Sequence, residues 1–474
     1  MVTIQHSTIH KKIAYGVEQA KSLSHSILVS TSTKVDHLNI DPVTFYVRGK
    51  HRTGERIFWS APSGDFVMVG IGNGYTFESN SGNNFSRLEK EWKEIIEHSK
   101  FEPKEHLSGV GPVILGAFSF DPEKEKTELW RYFPVAKMML PQHLLTIVNG
   151  EVWLTVNVIV DSKTNINRVS ETLIKEQAEL LEGVDLQPSY ISSLGQPLVI
   201  EEVAKDEWIA AVDTVAGQIR ANEIEKVVLA REIRVKSDVP FITEEIINRL
   251  RKEQPTSYIF AVESGSDCFI GASPERLIKK EGKEAFTTCL AGSIARGKTI
   301  EEDNRLGNEL LHDQKNLHEH EVVVRAIKSA FEQGCDRVEV PEKPVLYKIR
   351  DIQHLYTPII GEVKKGISLL TLVEKLHPTP ALGGYPRKEA LDKIRDIEQL
   401  DRGLYAGPIG WMDGKGNGEF AVAIRSGLLQ GNEASLFAGC GIVGNSDPAS
   451  EYKETQMKFR PMLSALGGSI YEIK

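Results

Sequence analysis

The stretch Ala438-Gly439-Cys440-Gly441-Ile442-Val443-Gly444-Asn445-Ser446-Asp447-Pro448-Ala449-Ser450-Glu451-Tyr452-Lys453-Glu454-Thr455-Gln456-Met457-Lys458 is an apolar run that passes through glycines into a charged segment. Ser446 or Asp447 can cap a helix and Pro448 suits its first turn, so Glu451, Glu454 and Lys458, at steps of three and four, fall on one face. Two carboxylates and an ammonium so placed either share a ligand or metal, or form a solvated face with its own ion pairs. The glycines Gly439, Gly441 and Gly444 also match the dinucleotide fingerprint G-x-G-x-x-G. A nucleotide-binding unit, however, needs a crossover helix, a second parallel strand and an acid about twenty residues on, and only about thirty residues follow Gly444. The glycines are better read as bringing backbone amides close to an anionic ligand.

The remainder of the chain sets the frame for that strand-to-helix unit. Its 474 residues, 41% hydrophobic and 26% charged, suffice for one large domain or two ordinary ones. The 57 basic and 66 acidic residues leave a net charge of -9 with no basic tract, which argues against a nucleic-acid partner. No apolar run reaches membrane-spanning or signal-peptide length, so a cytoplasmic protein without a membrane partner is expected. Cys268, Cys289, Cys335 and Cys440 are far apart and form no C-x-x-C pair, which points to free thiols rather than disulfides or a thiolate zinc site.

In the first half, Thr44-Phe45-Tyr46-Val47 and Phe66-Val67-Met68-Val69-Gly70-Ile71 read as antiparallel strands between turns. Leu88, Trp92, Ile95 and Ile96 mark a helix, and Pro112 to Phe120 resumes the sheet. Leu144 to Val148 and Val152 to Val160 form a hairpin, because Asn149-Gly150 between them is a type I′ turn signal. A helix from about Asn167 to Leu181 precedes Gln187 to Pro197, whose composition is that of a connector. The division expected is 1–197, a scaffold half with no ligand-spaced cluster, and 198–474, which carries the chemistry.

The second half opens with a helix on Trp208, Ala211, Val212, Val215 and Ile219, then the strand Lys226-Val227-Val228-Leu229-Ala230-Arg231. Lys226 is either a solvated strand end or, held near a polar cavity, a base. Pro274 interrupts the strand from Cys268 to Leu277 and leaves Glu275 at its mouth, where it is a surface acid, a partner of a nearby base, or more. Thr287 to Ser293 is a strand that ends in small residues and a hydroxyl. From about Glu301 to Gln333 one long helix is expected. His318-Glu319-His320 invites a zinc reading, but adjacent helical positions diverge by about 100°, and Glu319 is the better candidate as an oxygen ligand. The loop Leu376 to Pro386 reads as a shaped wall, and a charged helix from Arg387 to about Leu400 follows it. Strands from Gly403 to Trp411, Phe420 to Ser426 and Leu436 to Ala438 then close the chain. Arg425, at the end of an apolar strand, is either half of a structural ion pair or a carboxylate receptor.

With these residues in place, the region from about Glu202 to Arg460 resembles the chorismate-utilising enzymes, and within them isochorismate synthases of the menaquinone type. The resemblance rests on an ordered set of motifs: Lys226 to Arg231, Gly271-Ala272-Ser273-Pro274-Glu275, Leu290-Ala291-Gly292-Ser293, Lys315-Asn316 with Glu319-His320, His377 to Gly384, Tyr405-Ala406-Gly407, and the opening stretch. It implies an α+β fold of two antiparallel sheets packed as a sandwich with helices outside, formed by the whole chain.

The resemblance also implies a site. Magnesium would be held by Glu319 and Glu454, with Glu451 near it through water, and would receive the ring carboxylate of chorismate; a hard dication with oxygen ligands suits those residues. Arg425 and Tyr405 would take the second carboxylate. Gly439, Gly441 and Lys458 would address the anionic substrate, and Gly292, Ser293, His354 and Ala381 would complete its pocket. Lys226 would be the general base that activates water for attack at ring carbon C2, and Glu275 the general acid for the hydroxyl leaving C4. The two roles need a lysine whose charged form is disfavoured and a glutamate kept protonated, which burial provides for both.

Relatives that add ammonia commonly carry Thr where this chain has Ala381, so Ala381-Leu382-Gly383-Gly384 favours water as nucleophile. The expected enzyme is thus a hydroxymutase-type isomerase, a monomer or homodimer. A salicylate synthase, which goes on to eliminate pyruvate, is the nearest alternative, followed by an isochorismate synthase of a siderophore pathway. A non-catalytic binding scaffold has no use for the acid and base.

Overall fold

The structure is a computed structural model that describes residues 2–35, 40–80, 82, 84–101, 107–182, 195, 197–221, 224–348 and 352–469. Most of the connector expected at Gln187 to Pro197 lies outside the described residues. Among the described residues, twenty-one strands join in one network, antiparallel throughout except where Ile27–Lys34 meets Ser99–Lys100.

The network divides at its longest pair, Phe66–Ser79 with Ala136–Val148, where the register slips between Asn73 and Tyr75. An extra residue on one strand bends it and sharpens its twist, so the two ends of the pair enter different sheets. One sheet runs through Arg56–Ser60, Tyr258–Ser264, Asp267–Ser273, Ser426–Gln430 and Glu433–Ile442 to Lys226–Ser237. The other runs through Val113–Phe118, Pro408–Asp413, Gly418–Val422, Arg276–Glu281 and Glu284–Ala295 to Ile352–Val363.

The sheets face one another over a shared core that holds Trp59, Phe260 and Phe437 from the first and Phe118, Trp411 and Phe420 from the second. Charged groups in this core are paired. The Tyr258 hydroxyl and Arg276 Nε both donate to Glu419 Oε1, at 2.6 and 2.8 Å, as buried charge requires. This is the expected two-sheet α+β sandwich. Pairing crosses the expected division at 197 twice, where Ile57–Ser60 meets Ile259–Val262 and where Val113–Ala117 meets Ile409–Asp413.

Local chemistry accounts for several elements. In the hairpin joining Ala136–Val148 to Glu151–Val160, Asn149 and Gly150 take φ of 53° and 75°, the left-handed region a type I′ turn demands. Asp447 caps the helix Pro448–Leu466 by accepting from Ser450 N at 2.8 Å, with Pro448 in the first turn. The helix expected from Asn167 to Leu181 spans Ile166–Glu182.

Other elements differ from expectation. Thr44 to Val47 is not a strand but the centre of the helix Pro42–Arg48: Asp41 accepts from Thr44 N at 2.9 Å and Pro42 starts the turn, which outweighs the β preference of the aromatic run. The long helix from Glu301 is two helices, Ile300–His312 and Gln314–Gly334, divided at Asp313, whose carboxylate accepts from Asn316 N at 2.7 Å and caps the second. Residues 403–407 are turn, and the strand there begins only at Pro408. The segment before Ile27, to which the sequence reading assigns no element, is the helix Val2–Leu23. Its Ile9, Ile13, Val17 and Ala20 pack on Ile27, Val29, Val156 and Leu173.

Candidate active site

A cavity of about 120 Å³ opens where the ends of several strands and two helices meet, and every residue lining it belongs to the stretch from Lys226 to Lys458. Lys226 begins the strand Lys226–Ser237 and is buried; its Nζ donates to Glu319 Oε1 at 2.6 Å. Glu319 comes from the helix Gln314–Gly334, which packs on the strands Glu284–Ala295 and Ile352–Val363. Its neighbour His320 is buried and anchors that helix, its Nδ1–H donating to Ala291 O at 3.0 Å while Nε2 accepts from the Thr357 hydroxyl at 2.8 Å. His318 is exposed and His320 turns inward, so the two histidines do not converge on an ion.

Glu275 lies in the break between Asp267–Ser273 and Arg276–Glu281, where Pro274 prevents pairing and Ser273 Oγ accepts from Glu275 N at 3.2 Å. Burial pushes its carboxyl up to about 7, against the opposing pull of Lys458, Lys226 and Arg425. A carboxyl so placed is substantially protonated near neutrality and able to donate.

The opening stretch forms the floor. Gly441 lies against Lys226: a Cβ there would come within 2.6 Å of Lys226 Cε. Gly439 lies beneath Tyr405, whose hydroxyl would be 3.3 Å from a Cβ on Gly439. Lys458 Nζ donates to Gly439 O at 2.8 Å and lies 2.7 Å from Glu454 Oε1, and it is the nearby ammonium that most lowers the Glu454 carboxyl. Burial holds the Tyr405 hydroxyl far above its usual range, so it remains a donor.

Arg425 is not in a strand. It sits in the turn between Gly418–Val422 and Ser426–Gln430 with φ of 51°, and its side chain lines the cavity. Gly292 (φ 77°) and Ser293 line the opposite wall, and Ser293 pairs in register with His354. Burial, with Arg425 and Lys458 near, lowers His354 to about 3, so it is a neutral imidazole, and its Nε2 is buried without a partner. Ala381 also lines the cavity, from the loop that pairs with the strand carrying Lys226.

The structure thus brings Lys226, Glu275, Gly292, Ser293, Glu319, His354, Ala381, Tyr405, Arg425, Gly439, Gly441, Glu454 and Lys458 to one cavity. Glu451 stands behind it, near Ser446 and Cys440, its carboxyl raised by burial and by Glu454. Arg402, not among the expected site residues, lines the same cavity from the segment after the helix Arg387–Ile397; its one signal in the sequence is Glu398, four residues before it in a charged segment.

Glu319 and Glu454 approach the cavity from separate helices, and their oxygens are the donors a hard dication takes. Among the described residues no three His, Cys, Asp or Glu side chains gather into a cage. A cation held by these two would complete its shell with water and substrate oxygens, which is how the smaller hard dications are usually bound. Each carboxylate has a lysine as partner, Lys226 for Glu319 and Lys458 for Glu454, which a bound cation would have to share or displace. As oxygen donors on one cavity, the two carboxylates fit such an ion.

A carboxyl that burial pushes up to about 7, a buried lysine, two further carboxylates and the cations Arg425 and Lys458 line one small cavity, a set suited to acid-base work on a compact anion. Comparison with known proteins places it. The chain matches the family described as chorismate binding enzyme over residues 15–467, and it belongs to that family. It is 44% identical to "Isochorismate synthase MenF" of Bacillus subtilis over 99% of each chain. It is 36% identical to the "Salicylate biosynthesis isochorismate synthase" of Pseudomonas aeruginosa, over 95% of this chain and 93% of that one. The solved structure of MenF, the menaquinone-specific isochorismate synthase from Escherichia coli, superposes with a TM-score of 0.76 at 24% identity, over 96% of this chain and all of that one, and so shares the fold.

Proposed function

We propose that this chain is an isochorismate synthase, an isomerase that converts chorismate reversibly to isochorismate with magnesium, and that it serves menaquinone formation. The observation that carries the reading is that the buried amine of Lys226 and the carboxyl of Glu275, pushed up to about 7, line one cavity. Full-length similarity to the Bacillus subtilis enzyme supports the reaction, and the MenF name it shares with the menaquinone-specific enzyme of Escherichia coli supports the pathway.

In this reading Arg425 and the Tyr405 hydroxyl hold the enolpyruvyl carboxylate, and Lys458 with the amides near Gly439 and Gly441 addresses the rest of the anion. Lys226 takes a proton from water as its oxygen bonds to ring carbon C2. The ring π electrons shift through the diene, the C4–O bond breaks, and Glu275 gives its proton to the departing hydroxyl, so that water enters and water leaves with no change of oxidation state. Microscopic reversibility exchanges the two roles in the other direction. Glu319 and Glu454, with Glu451 through water, would hold magnesium, which supplies an anchor for the ring carboxylate and offsets charge.

The test is incubation of the purified protein with chorismate and magnesium and chromatographic separation of the products. Isochorismate without salicylate or pyruvate is expected. Abundant pyruvate with salicylate would assign the protein to the lyases instead, and no turnover would remove the reading.

A further inference from the structure

Glu398 and Arg402 form a buried ion pair for which the acid-base scheme has no use. Arg402 Nε donates to Glu398 Oε2 at 2.8 Å and Nη2 to Oε1 at 2.5 Å, with the guanidinium 4.1 Å from the centre of the Phe120 ring. A buried pair persists only when its remaining hydrogen-bonding capacity is met, and where those further bonds go is informative. Arg402 Nη2 also donates to Val228 O at 2.8 Å and Nη1 to Leu382 O at 3.1 Å, while Glu398 Oε1 accepts from Ala230 N at 2.6 Å.

Val228 and Ala230 lie two and four residues beyond Lys226 on the same strand. One edge of that strand is paired continuously with Glu433–Ile442. The other edge pairs with Gly384-Tyr385 at Lys226 and Val227, and with Leu198–Glu202 from Ile233 onward. In the interval the ion pair supplies the donor and acceptor that a neighbouring strand would, since buried backbone groups must be satisfied. The same guanidinium grips Leu382 O, next to Ala381 in the cavity wall. Arg402 faces the catalytic cavity, and Glu398 faces a second one of about 400 Å³ behind it.

We propose that Arg402, held in place by Glu398, is a positioning residue of the reaction: it sets the separation between the strand that carries Lys226 and the loop that carries Ala381, and thereby where the attacking water sits. The inference rests on the isochorismate synthase reading. Displacing a reacting group by about 1 Å can cost on the order of 100-fold in rate, so a change that loosens this grip acts on kcat.

Arg402→Lys keeps the charge opposite Glu398 but cannot reach both carbonyls from a single ammonium. Expected are a kcat lowered about 10- to 100-fold, little change in KM for chorismate, and faster amide exchange in the peptide covering residues 226–232. Phe120→Leu, which removes the ring under the guanidinium and none of its hydrogen bonds, serves as the stability control. It lowers Tm but leaves kcat and that exchange near wild type. Should Arg402→Lys fail to fold, Glu398→Gln, which retains an acceptor for Ala230 N, is read against the same expectations. A wild-type kcat in the folded variant, or an equal kcat loss in Phe120→Leu, overturns the proposal. A wild-type protein that does not turn over chorismate removes the functional reading together with it, and the exchange comparison then reports on the strand contact alone.

Discussion

Lys226 Nζ and Glu319 Oε1 are 2.6 Å apart, a bond that joins the first residue of a sheet strand to a helix packed on other strands. The lysine thereby lies between Glu319 and the floor at Gly441, and it lines the cavity. Lys226→Ala should lower kcat by about 10²- to 10⁴-fold, the range a general base contributes, with circular dichroism unchanged. A variant turning over chorismate at the wild-type rate would remove Lys226 from the base role.

Glu275→Gln should separate activity from stability. The folded protein holds this proton up to about pH 7 against an ordinary value of 4.5. The folded state therefore binds the proton more tightly than the unfolded chain, and the stabilisation, full below the ordinary value, is lost as pH rises through about 7. At pH 8 the glutamine variant should be inactive yet more stable than wild type, by up to about 3 kcal/mol. Wild-type kcat should fall on the alkaline side of about pH 7. Denaturant titrations at pH 5 and 8 check the first expectation and a pH-rate profile the second.

Gly441→Ala should abolish most turnover without unfolding the protein. The new Cβ would come within 2.6 Å of Lys226 Cε and 3.1 Å of Nζ. Those atoms are the far end of a flexible chain, so the lysine yields and the backbone does not. A thermal melt near wild type beside a kcat loss of about tenfold or more is expected; an unaffected kcat would mean that Lys226 need not sit against this glycine.

Removing metal should stop the reaction, and magnesium should restore it. Calorimetry of Glu319→Gln and of Glu454→Gln should each show magnesium affinity weakened on the order of tenfold or more, since under the proposed function each substitution would remove one charged oxygen ligand from a short list. Binding at wild-type strength in both would place the cation elsewhere.

Acid should unfold the protein partly through two histidines. Burial lowers both His354 and His377 from 6.5 to about 3. The unfolded chain takes up these protons first, so stability is lost as pH falls below the ordinary value, at roughly 1.4 kcal/mol per pH unit for each group. Unfolding free energies of Glu275→Gln, which lacks the Glu275 carboxyl's opposing gain over the same range, should show this slope between pH 7 and 4, and a flat profile would contradict it.

Much of the local structure was legible because short-range chemistry decides it. Asn149-Gly150 specifies its turn through a left-handed backbone, and Asp447-Pro448 its helix start through a cap. Asp41-Pro42 carries the same kind of signal, but the aromatic run after it suggested a strand; the cap prevailed, with Phe45 and Tyr46 buried on the inner face of the helix. Asp313 is legible in the same way as a helix break. Arg402 was illegible: four residues after Glu398 in a charged segment, it looks like one more surface pair, and only burial under Phe120 reveals its contacts.

By itself the sequence determined the local elements and the chemical groups on offer, since caps, turns and the alternation of apolar residues act over a few positions. It also carried the motif order that links the chain to its family. Only the tertiary structure decided that Lys226, Glu275, Glu319, Arg425 and Glu454 share one cavity, because antiparallel pairing joins strands about two hundred to three hundred residues apart in the chain. The proton held by Glu275 follows from that convergence. Its carboxyl feels burial together with three cations drawn from other strands, helices and turns, and no short stretch of sequence contains that sum.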